Sequence, residues 1–266
     1  MNLSIKHYIT AALFFITFSS QAQKLTFALL TDMHIDMTNT QATEDLVKAV
    51  DEINTNAAIE FILIAGDVTD KGDSLSLLKA KKILSKLKMP YYITFGNHDA
   101  LSSKAPNSLY KRIFGNDKFS FTSKGKHFIG FTTCPNERYG EGQCSKNDLN
   151  WIDSTLKTLE INTPIIALTH YPLQKGDVKN WVELTDLLRK YNVQTVLNGH
   201  YHRNALLVYN EIPGIVNRST LSKSDAIGGY SIYVLDSNIQ VFEKAIGTEA
   251  QEWLQIPMEQ KNTTIN

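Results

Sequence analysis

Long apolar runs alternate along the chain with stretches of helical spacing, and the apolar runs end on polar clusters. Residues 24–31 hold Leu25, Phe27, Ala28, Leu29 and Leu30, which predicts a buried strand ending on Asp32-Met33-His34. Residues 43–53 place Leu46, Val47, Val50 and Ile53 at helical spacing, with Thr43 as the expected cap. A second apolar run, from Phe61 to Ala65, stops on Gly66-Asp67. Asp73 or Ser74 caps the next predicted helix, whose apolar face is Leu77, Leu78, Ile83, Leu84 and Leu87 and which Pro90 ends. Residues 91–95 predict a third strand, ending on Gly96-Asn97-His98-Asp99. Strand and helix thus alternate over short connections, the pattern of a parallel sheet whose carboxyl edge carries the site.

The middle of the chain differs. Residues 119–122 and 127–133 flank Lys124-Gly125-Lys126 and predict a β-hairpin, with His127 an ordinary member of it. Ser145 caps a helix bearing Leu149, Ile152, Leu156 and Leu159. Residues 164–169 form a buried strand ending on His170, residues 181–191 a helix, and residues 193–198 a strand ending on Gly199-His200-Tyr201-His202. Thereafter only strands are expected, at 205–209, 214–216, 229–235 and 239–245, and beyond Trp253 the polar tail is expected to fray. No repeat or linker divides the chain, so residues 23–266 read as one domain.

With 266 residues and 42% hydrophobic content, the chain can build a core and is not a disordered polymer. Lys+Arg 27 against Asp+Glu 27 leaves no net charge, so bulk electrostatics favour neither a nucleic-acid nor a membrane surface. Residues 1–22 read as a secretory signal: Lys6, an apolar segment over 9–18 too short to span a bilayer, and Ser20-Gln21-Ala22 as cleavage site. The expected location is therefore outside the cytoplasm, periplasmic or secreted, with no stable membrane anchor after cleavage. In that setting Cys134 and Cys144 are read as a disulfide across the short loop between them, with two free thiols as the alternative. Their spacing is a poor zinc pattern.

Five polar clusters stand in order: Asp32-x-His34, Gly66-Asp67-x-x-Asp70, Gly96-Asn97-His98-Asp99, His170, and Gly199-His200-x-His202. They hold five of the chain's seven histidines. Taken singly, Asp67 could be a helix cap and each histidine a satisfied polar residue. Together, at successive strand ends, carboxylate and imidazole suit zinc, manganese or iron rather than a soft thiolate site. The glycines before Asp67, Asn97 and His200 would let the backbone turn sharply there.

In order and content these clusters resemble the calcineurin-like metallophosphoesterase superfamily, across residues 32–202. The resemblance implies an α/β fold of two facing mixed β-sheets flanked by helices, a four-layer αββα sandwich. It implies two divalent metal ions (Zn, Mn or Fe), one held by Asp32, His34, Asp67 and His202 and the other by Asp67, Asn97, His170 and His200. Asp67 would bridge the two. A hydroxide shared by the ions would attack phosphorus in line. His98 would protonate the leaving oxygen, oriented by Asp70, with Asp99 a second candidate orienter. A member with every position filled is expected to be an enzyme acting on a small-molecule phosphate ester, diester or monoester. A non-catalytic metal-bound scaffold is the alternative.

Within the superfamily, Gly-Asn-His-Asp, Thr169-His170-Tyr171-Pro172 and Gly199-His200-Tyr201-His202 look like the cyclic-nucleotide phosphodiesterase-like branch. Protein phosphatases carry Arg-Gly where Lys71-Gly72 stands here, and purple acid phosphatases a Tyr ligand where Val68 and Thr69 stand. Arg138, Tyr139, Tyr171, Tyr201, Arg203 and Arg218, on loops near strand ends, are candidate substrate contacts: Arg to grip a phosphate oxygen, Tyr to stack on a base.

Overall fold

The computed structural model of the protein describes residues 23–100, 108–134 and 139–259. The leader with its cleavage site, and Arg138, lie outside the described residues. Among those described, the strands are β1 (Leu25–Leu30), β2 (Phe61–Ile64), β3 (Tyr91–Ile93), β4 (Phe119–Ser123), β5 (Lys126–Gly130), β6 (Ile165–Leu168), β7 (Val193–Asn198), β8 (Ala205–Tyr209), β9 (Ile212–Val216), β10 (Gly229–Leu235), β11 (Asn238–Ala245) and β12 (Gln251–Pro257). The helices are α1 (Thr40–Thr55), α2 (Ser74–Leu84), α3 (Ser108–Phe114), α4 (Lys146–Leu156) and α5 (Trp181–Arg189).

They build two mixed six-stranded sheets, ordered β12-β11-β10-β1-β2-β3 and β4-β5-β6-β7-β9-β8. In the first, β1, β2 and β3 run parallel, joined through α1 and α2. In the second, β5, β6 and β7 run parallel, joined through α4 and α5. The site-bearing loops therefore leave the same kind of strand end in both sheets.

The pleat decides what faces what. Leu25, Phe27 and Leu29 of β1 share one buried cluster with Phe61, Leu63, Tyr233 and Val241 of their own sheet and Phe128, Ile166, Leu168 and Leu197 of the other. The alternate residues Ala28, Leu30, Ile62 and Ile64 join Leu46, Val50 and Leu77 of the helices instead. One face of each sheet meets the other sheet and one meets helices, the four-layer αββα sandwich, as period-two side chains allow. Phe27 anchors the inner layer: its ring stacks on Phe61 and Tyr233 at 5.3 and 4.8 Å and meets Phe128 of the opposite sheet edge-on at 5.6 Å.

Several expectations need correction. Asn39, not Thr43, caps α1; its side chain accepts from the Ala42 amide at 3.2 Å, so the helix starts a turn earlier. Asp73 caps α2, accepting from the Ser76 amide, but Leu78 is 52% exposed and not on the apolar face. The tail after Trp253 does not fray at once. It forms edge strand β12 on β11, with Trp253, Leu254 and Ile256 against the inner layer. Helix α3 lies where no element was expected, held by Tyr110, whose hydroxyl donates to the Thr94 carbonyl at 2.8 Å. Cys134 and Cys144 are both free and buried. The Cys134 thiol faces the Phe95 carbonyl at 3.4 Å, whereas the backbone of Cys144 pairs with the Asn180 side chain. Burial, with Asp148 nearby, pushes the Cys144 thiol up to about 12, so it is unreactive.

Removing the Phe27 ring leaves a cavity between the sheets. Phe27→Ala should cost about 3–5 kcal/mol of unfolding free energy. Leu78→Ala, at the exposed α2 position, should change it by about 0.5 kcal/mol or less. Urea unfolding of the two variants measures both.

Candidate metal centre

The loops after β1, β2, β3, β6 and β7 meet at the carboxyl ends of the two sheets. The β1 and β2 loops continue to pair beyond their strands. The His34 amide donates to the Asp67 carbonyl at 3.0 Å, and the Ile35 amide to the Val68 carbonyl at 3.0 Å. Asp32, His34, Asp67, His200 and His202 all have positive φ, between 47° and 71°. Non-glycine residues seldom adopt that region, and each instance costs on the order of 1–3 kcal/mol unless the surroundings impose it. Five at one place mark a backbone bent to aim side chains inward.

The two buried carboxylates are arranged alike. Asp32 Oδ2 accepts from the Thr31 hydroxyl at 2.8 Å and the His200 amide at 3.0 Å. Its Oδ1 faces the ring nitrogens Nε2 of His202, His34 and His170 at 3.1, 3.9 and 4.0 Å. Asp67 Oδ1 accepts from the His98 amide at 2.9 Å. Its Oδ2 faces Nε2 of His170 at 3.2 Å and of His34 at 3.8 Å. Each acid thus spends one oxygen chiefly on the protein and turns the other to the imidazoles, Asp32 Oδ1 also taking a longer 3.3 Å contact from the His200 amide. Burial opposes the ionised form of Asp32, but His202, His170 and His34 outweigh it and hold the acid far below the usual range. Asp67 is lowered likewise, burial being outweighed chiefly by His170.

His170 is the most informative ring. Its Nδ1 lies 2.6 Å from the Ala65 carbonyl, which can only accept, so Nδ1 carries a proton. In the neutral ring, Nε2 is then a lone pair facing Asp67 Oδ2, an acceptor against an acceptor. That buried nitrogen makes no hydrogen bond. Only a cation between the two resolves the contact. In the bare protein that cation is a proton: burial disfavours it, but Asp67 and Asp32 hold His170 up to about 9. His34 is raised as well, burial being outweighed by Asp70, Asp67 and Asp32. His200 is pushed down to about 4 by burial and by the charge of His170, and its ring packs 4.2 Å from that of Tyr171.

The spacings fit metal ligands. Two donors about 2.0–2.1 Å from a tetrahedral ion stand about 3.3–3.4 Å apart. Nε2 of His34 and of His202 are 3.2 Å apart, close to the 3.1 and 3.2 Å carboxylate contacts above. Asp32, His34 and His202 form one group able to hold an ion, and Asp67, His170 and His200 another; Asp67 also groups with His34 and His98. Asp67 thus stands between two clusters, and Asn97, which precedes the His98 amide bonded to Asp67, is buried.

His98 and Asp70 lie at the mouth. His98 Nδ1 is 3.1 Å from the Asp70 carbonyl and 3.2 Å from its Oδ1, so the ring donates from Nδ1 to Asp70. Asp99 takes no part in orienting the ring. Its oxygens accept from the amides of Val68, Thr69 and Gly96 and the Thr69 hydroxyl, clamping the Asp67 loop. Burial and the charge of Asp67 push Asp99 up to about 7. All three flanking glycines are required for space, Gly66 because a Cβ there would stand 2.7 Å from the Gly96 amide nitrogen. A Cβ on Gly96 would stand 2.1 Å from the Asp67 amide nitrogen, and one on Gly199 2.0 Å from the Thr31 hydroxyl. Gly66, at φ +84°, makes the sharp turn expected.

The substrate-contact candidates fare unevenly. Tyr171 is buried beneath His200. The Tyr201 hydroxyl donates to Asp177 at 2.5 Å and accepts from Gln174 at 2.7 Å, so it braces its loop. Arg218 is engaged by the Ile227 carbonyl and by Glu243 at 3.5 Å. Tyr139 is exposed, and Arg203 lies over the Tyr201 ring at 5.8 Å. A cavity of about 420 Å³ opens at His34, Asp70, His98 and His202 and is also lined by Asp36, Thr38, Asn39, Lys71 and Leu221. Of these, Lys71 pairs with Asp36 at 2.8 Å. Sequence reasoning missed this wall; Asp36 continues the Asp-x-His-x-Asp alternation of the β1 loop, the one signal that could have found it. A larger groove, about 740 Å³, lies between α4 and α5 and includes none of the residues of the five clusters.

A family model described as calcineurin-like phosphoesterase matches residues 25–204. A 3′,5′-cyclic-nucleotide phosphodiesterase of Nostoc sp. is 26% identical over 196 residues, 67% of this chain and 72% of that protein. A serine/threonine-protein phosphatase of Rattus norvegicus is 24% identical over 201 residues, 66% of this chain and 63% of that protein. Among solved structures, a dimetal phosphatase from Danio rerio superposes with a TM-score of 0.68 at 15% identity, covering 88% of this chain and 99% of that one.

A proton and a metal ion would compete for the same buried contact, which gives a signed pH dependence. Held at about 9 against 6.5 for the free side chain, His170 stabilises the chelator-treated protein below pH 6.5, and this contribution is lost as the pH rises through about 9. With excess manganese or zinc the fall should vanish or reverse, because a ligand ring must be deprotonated. Melting curves from pH 6 to 9.5, with and without metal, test this. Parallel curves would exclude His170 as a ligand.

Proposed function

Because the chain belongs to the calcineurin-like phosphoesterase family, we propose that it is an exported hydrolase of small phosphodiesters and phosphomonoesters that works with two divalent ions. The observation that carries the reading is the pair of buried carboxylates, each with one oxygen turned to imidazole nitrogens 3.1–4.0 Å away. Asp32, His34, Asp67 and His202 would hold one ion, and Asp67, Asn97, His170 and His200 the other, with zinc, manganese and iron all suited to such donors. When bound, the ions supply positive charge for the phosphoryl oxygens and acidify water.

The chain's own groups do the rest. His98 stands at the mouth with Nδ1 committed to Asp70, which leaves Nε2 as the ring atom to deliver a proton to the departing alkoxide. The Asp70 carboxylate favours the imidazolium form that this requires. The backbone amide of His98 also fixes Asp67 Oδ1, so acid and ligand are tied together across the loops after β2 and β3. A cavity of about 420 Å³ suits a small ester. Relatives named cyclic-nucleotide phosphodiesterase and protein phosphatase support keeping both ester classes.

Purified protein supplied with manganese or zinc should hydrolyse bis-p-nitrophenyl phosphate and p-nitrophenyl phosphate. Two bound ions with no turnover on any phosphate ester would instead support the scaffold reading. His98→Ala should lower kcat on an alkyl ester by about 10²–10⁴-fold. It should affect a nitrophenyl ester far less, because nitrophenolate leaves without a proton. Equal loss on both would remove His98 from the acid role.

Export rests on the leader, residues 1–22. Amino-terminal sequencing of protein recovered outside the cytoplasm should begin at Gln23; a retained Met1 would contradict cleavage.

A further inference from the structure

We propose that Asn198, the last residue of β7, is a positioning residue that holds the His170 and His200 loops at their mutual spacing. It thereby sets the affinity for one of the two ions. The inference rests on the metal-site reading above. Asn198 is fully buried and makes no hydrogen bond to His34, Asp70, His98 or His202. Its Nδ2 donates to the carbonyls of Thr169 and Tyr171, at 3.0 and 2.8 Å, the two residues flanking His170. Its Oδ1 accepts from the Tyr209 hydroxyl at 3.0 Å. The orientation of this amide is unambiguous, since a flipped one would set its oxygen against two carbonyl oxygens.

The backbone of Asn198 is held as firmly. Its carbonyl accepts from the amide and the side chain of Asn217, at 2.9 and 3.0 Å. The Asn217 oxygen in turn accepts from Tyr233 of β10, in the opposite sheet, at 2.7 Å. The next residue, Gly199, donates to the His170 carbonyl at 3.1 Å. The peptide units on both sides of His170 are thus fastened to the residue that launches Gly199-His200. Tyr209, Asn217 and Tyr233 fasten that residue to the rest of the sandwich.

Both imidazoles governed by this hub fall in the set proposed for one ion, with Asp67 and Asn97. The other set takes Asp32 and His34 from the loop after β1, to which Asn198 makes no hydrogen bond, and only His202 from the loop that Asn198 launches, two residues beyond His200. Outer-shell partners of metal ligands commonly govern affinity by about 10–100-fold. Loss of the hub should therefore weaken one ion selectively.

The test uses the full chain as wild type, Asn198→Asp and Tyr209→Phe. Asn198→Asp keeps the size but replaces the double donor by an oxygen; Tyr209→Phe keeps the amide and removes the hydroxyl that fixes it. Each protein is titrated with cobalt(II), read by the visible spectrum and by elemental analysis after dialysis, beside its melting temperature without metal. Wild type should take up two ions. Asn198→Asp should keep one at wild-type affinity and bind the other about 10–100-fold more weakly. Tyr209→Phe should shift the same ion in the same direction by less, and it alone decides the matter if Asn198→Asp does not fold. Wild-type affinity for both ions in the variants, or equal weakening of both in step with melting temperature, overturns the inference while leaving the metal centre standing. Failure of the wild type to bind any divalent ion overturns the reading of the centre and this inference with it.

Discussion

Two ionised carboxylates, Asp32 and Asp67, sit fully inside the protein and face the same imidazole nitrogens. Burying one ionised carboxylate costs several kcal/mol even after relaxation, and burying two side by side costs more. Hydrogen bonds from Thr31 and the amides of His200 and His98 offset part of the cost at the outer oxygens. At the inner oxygens they leave only a second, longer contact from the His200 amide to Asp32 Oδ1, at 3.3 Å. The rest of the site follows from that deficit: positive charge must stand between the acids, and the protein must hold them against their repulsion. In the bare chain a proton on His170 provides some of the charge.

The holding is done by the sandwich. Acids and amide come from the first sheet and three of the imidazoles from the second, so the cluster exists only while the two sheets keep their register at one end. The inner layer around Phe27 supplies that rigidity apolarly. Near the site the seam turns polar. His170 of one sheet donates to Ala65 of the other, and Tyr233 reaches Asn217. Gly199 lies against Thr31 and Asp32 so closely that no Cβ fits. A dense core can support five left-handed residues because the strain at the loops is small against the burial of two sheet faces.

Much of this was legible in the sequence where a strong local pattern coincided with the tertiary outcome. Apolar runs ending on Asp32, Asp67, Asn97, His170 and His200 marked β1, β2, β3, β6 and β7, because strands buried on both faces need no alternation. Caps at Asp73 and Ser145 were legible for the same local reason. What escaped depended on partners. Thr43 and Asn39 are both good caps, and only the path of the loop from His34 chose Asn39. β12 is half polar and exists because β11 offers it an edge. Nothing in the spacing of Cys134 and Cys144 reveals that one thiol turns to Phe95 while the other residue's backbone turns to Asn180. Arg218, suggestive beside a phosphate site, is engaged by Glu243 from a strand far along the chain.

The limit is sharpest at His98. Two acids, Asp70 and Asp99, could each have oriented it; the family resemblance favoured Asp70, with the adjacent Asp99 second, and no local pattern decided between them. A single helical turn over Asn97–Asp99 separates them: it points the His98 ring toward the mouth and the Asp99 side chain back into the loop after β2. Asp70 is then half in solvent, where a charge is cheap and can support an imidazolium. Asp99 is buried, and burial and the charge of Asp67 disfavour its ionised form, pushing it up to about 7. The same functional group does electrostatic work in one place and hydrogen-bond work in the other. What separates the roles is dielectric and direction, which come from the fold and not from residue identity. The acid that steadies this proton donor is the one that water can reach, because there its charge persists without the facing imidazoles that Asp32 and Asp67 need.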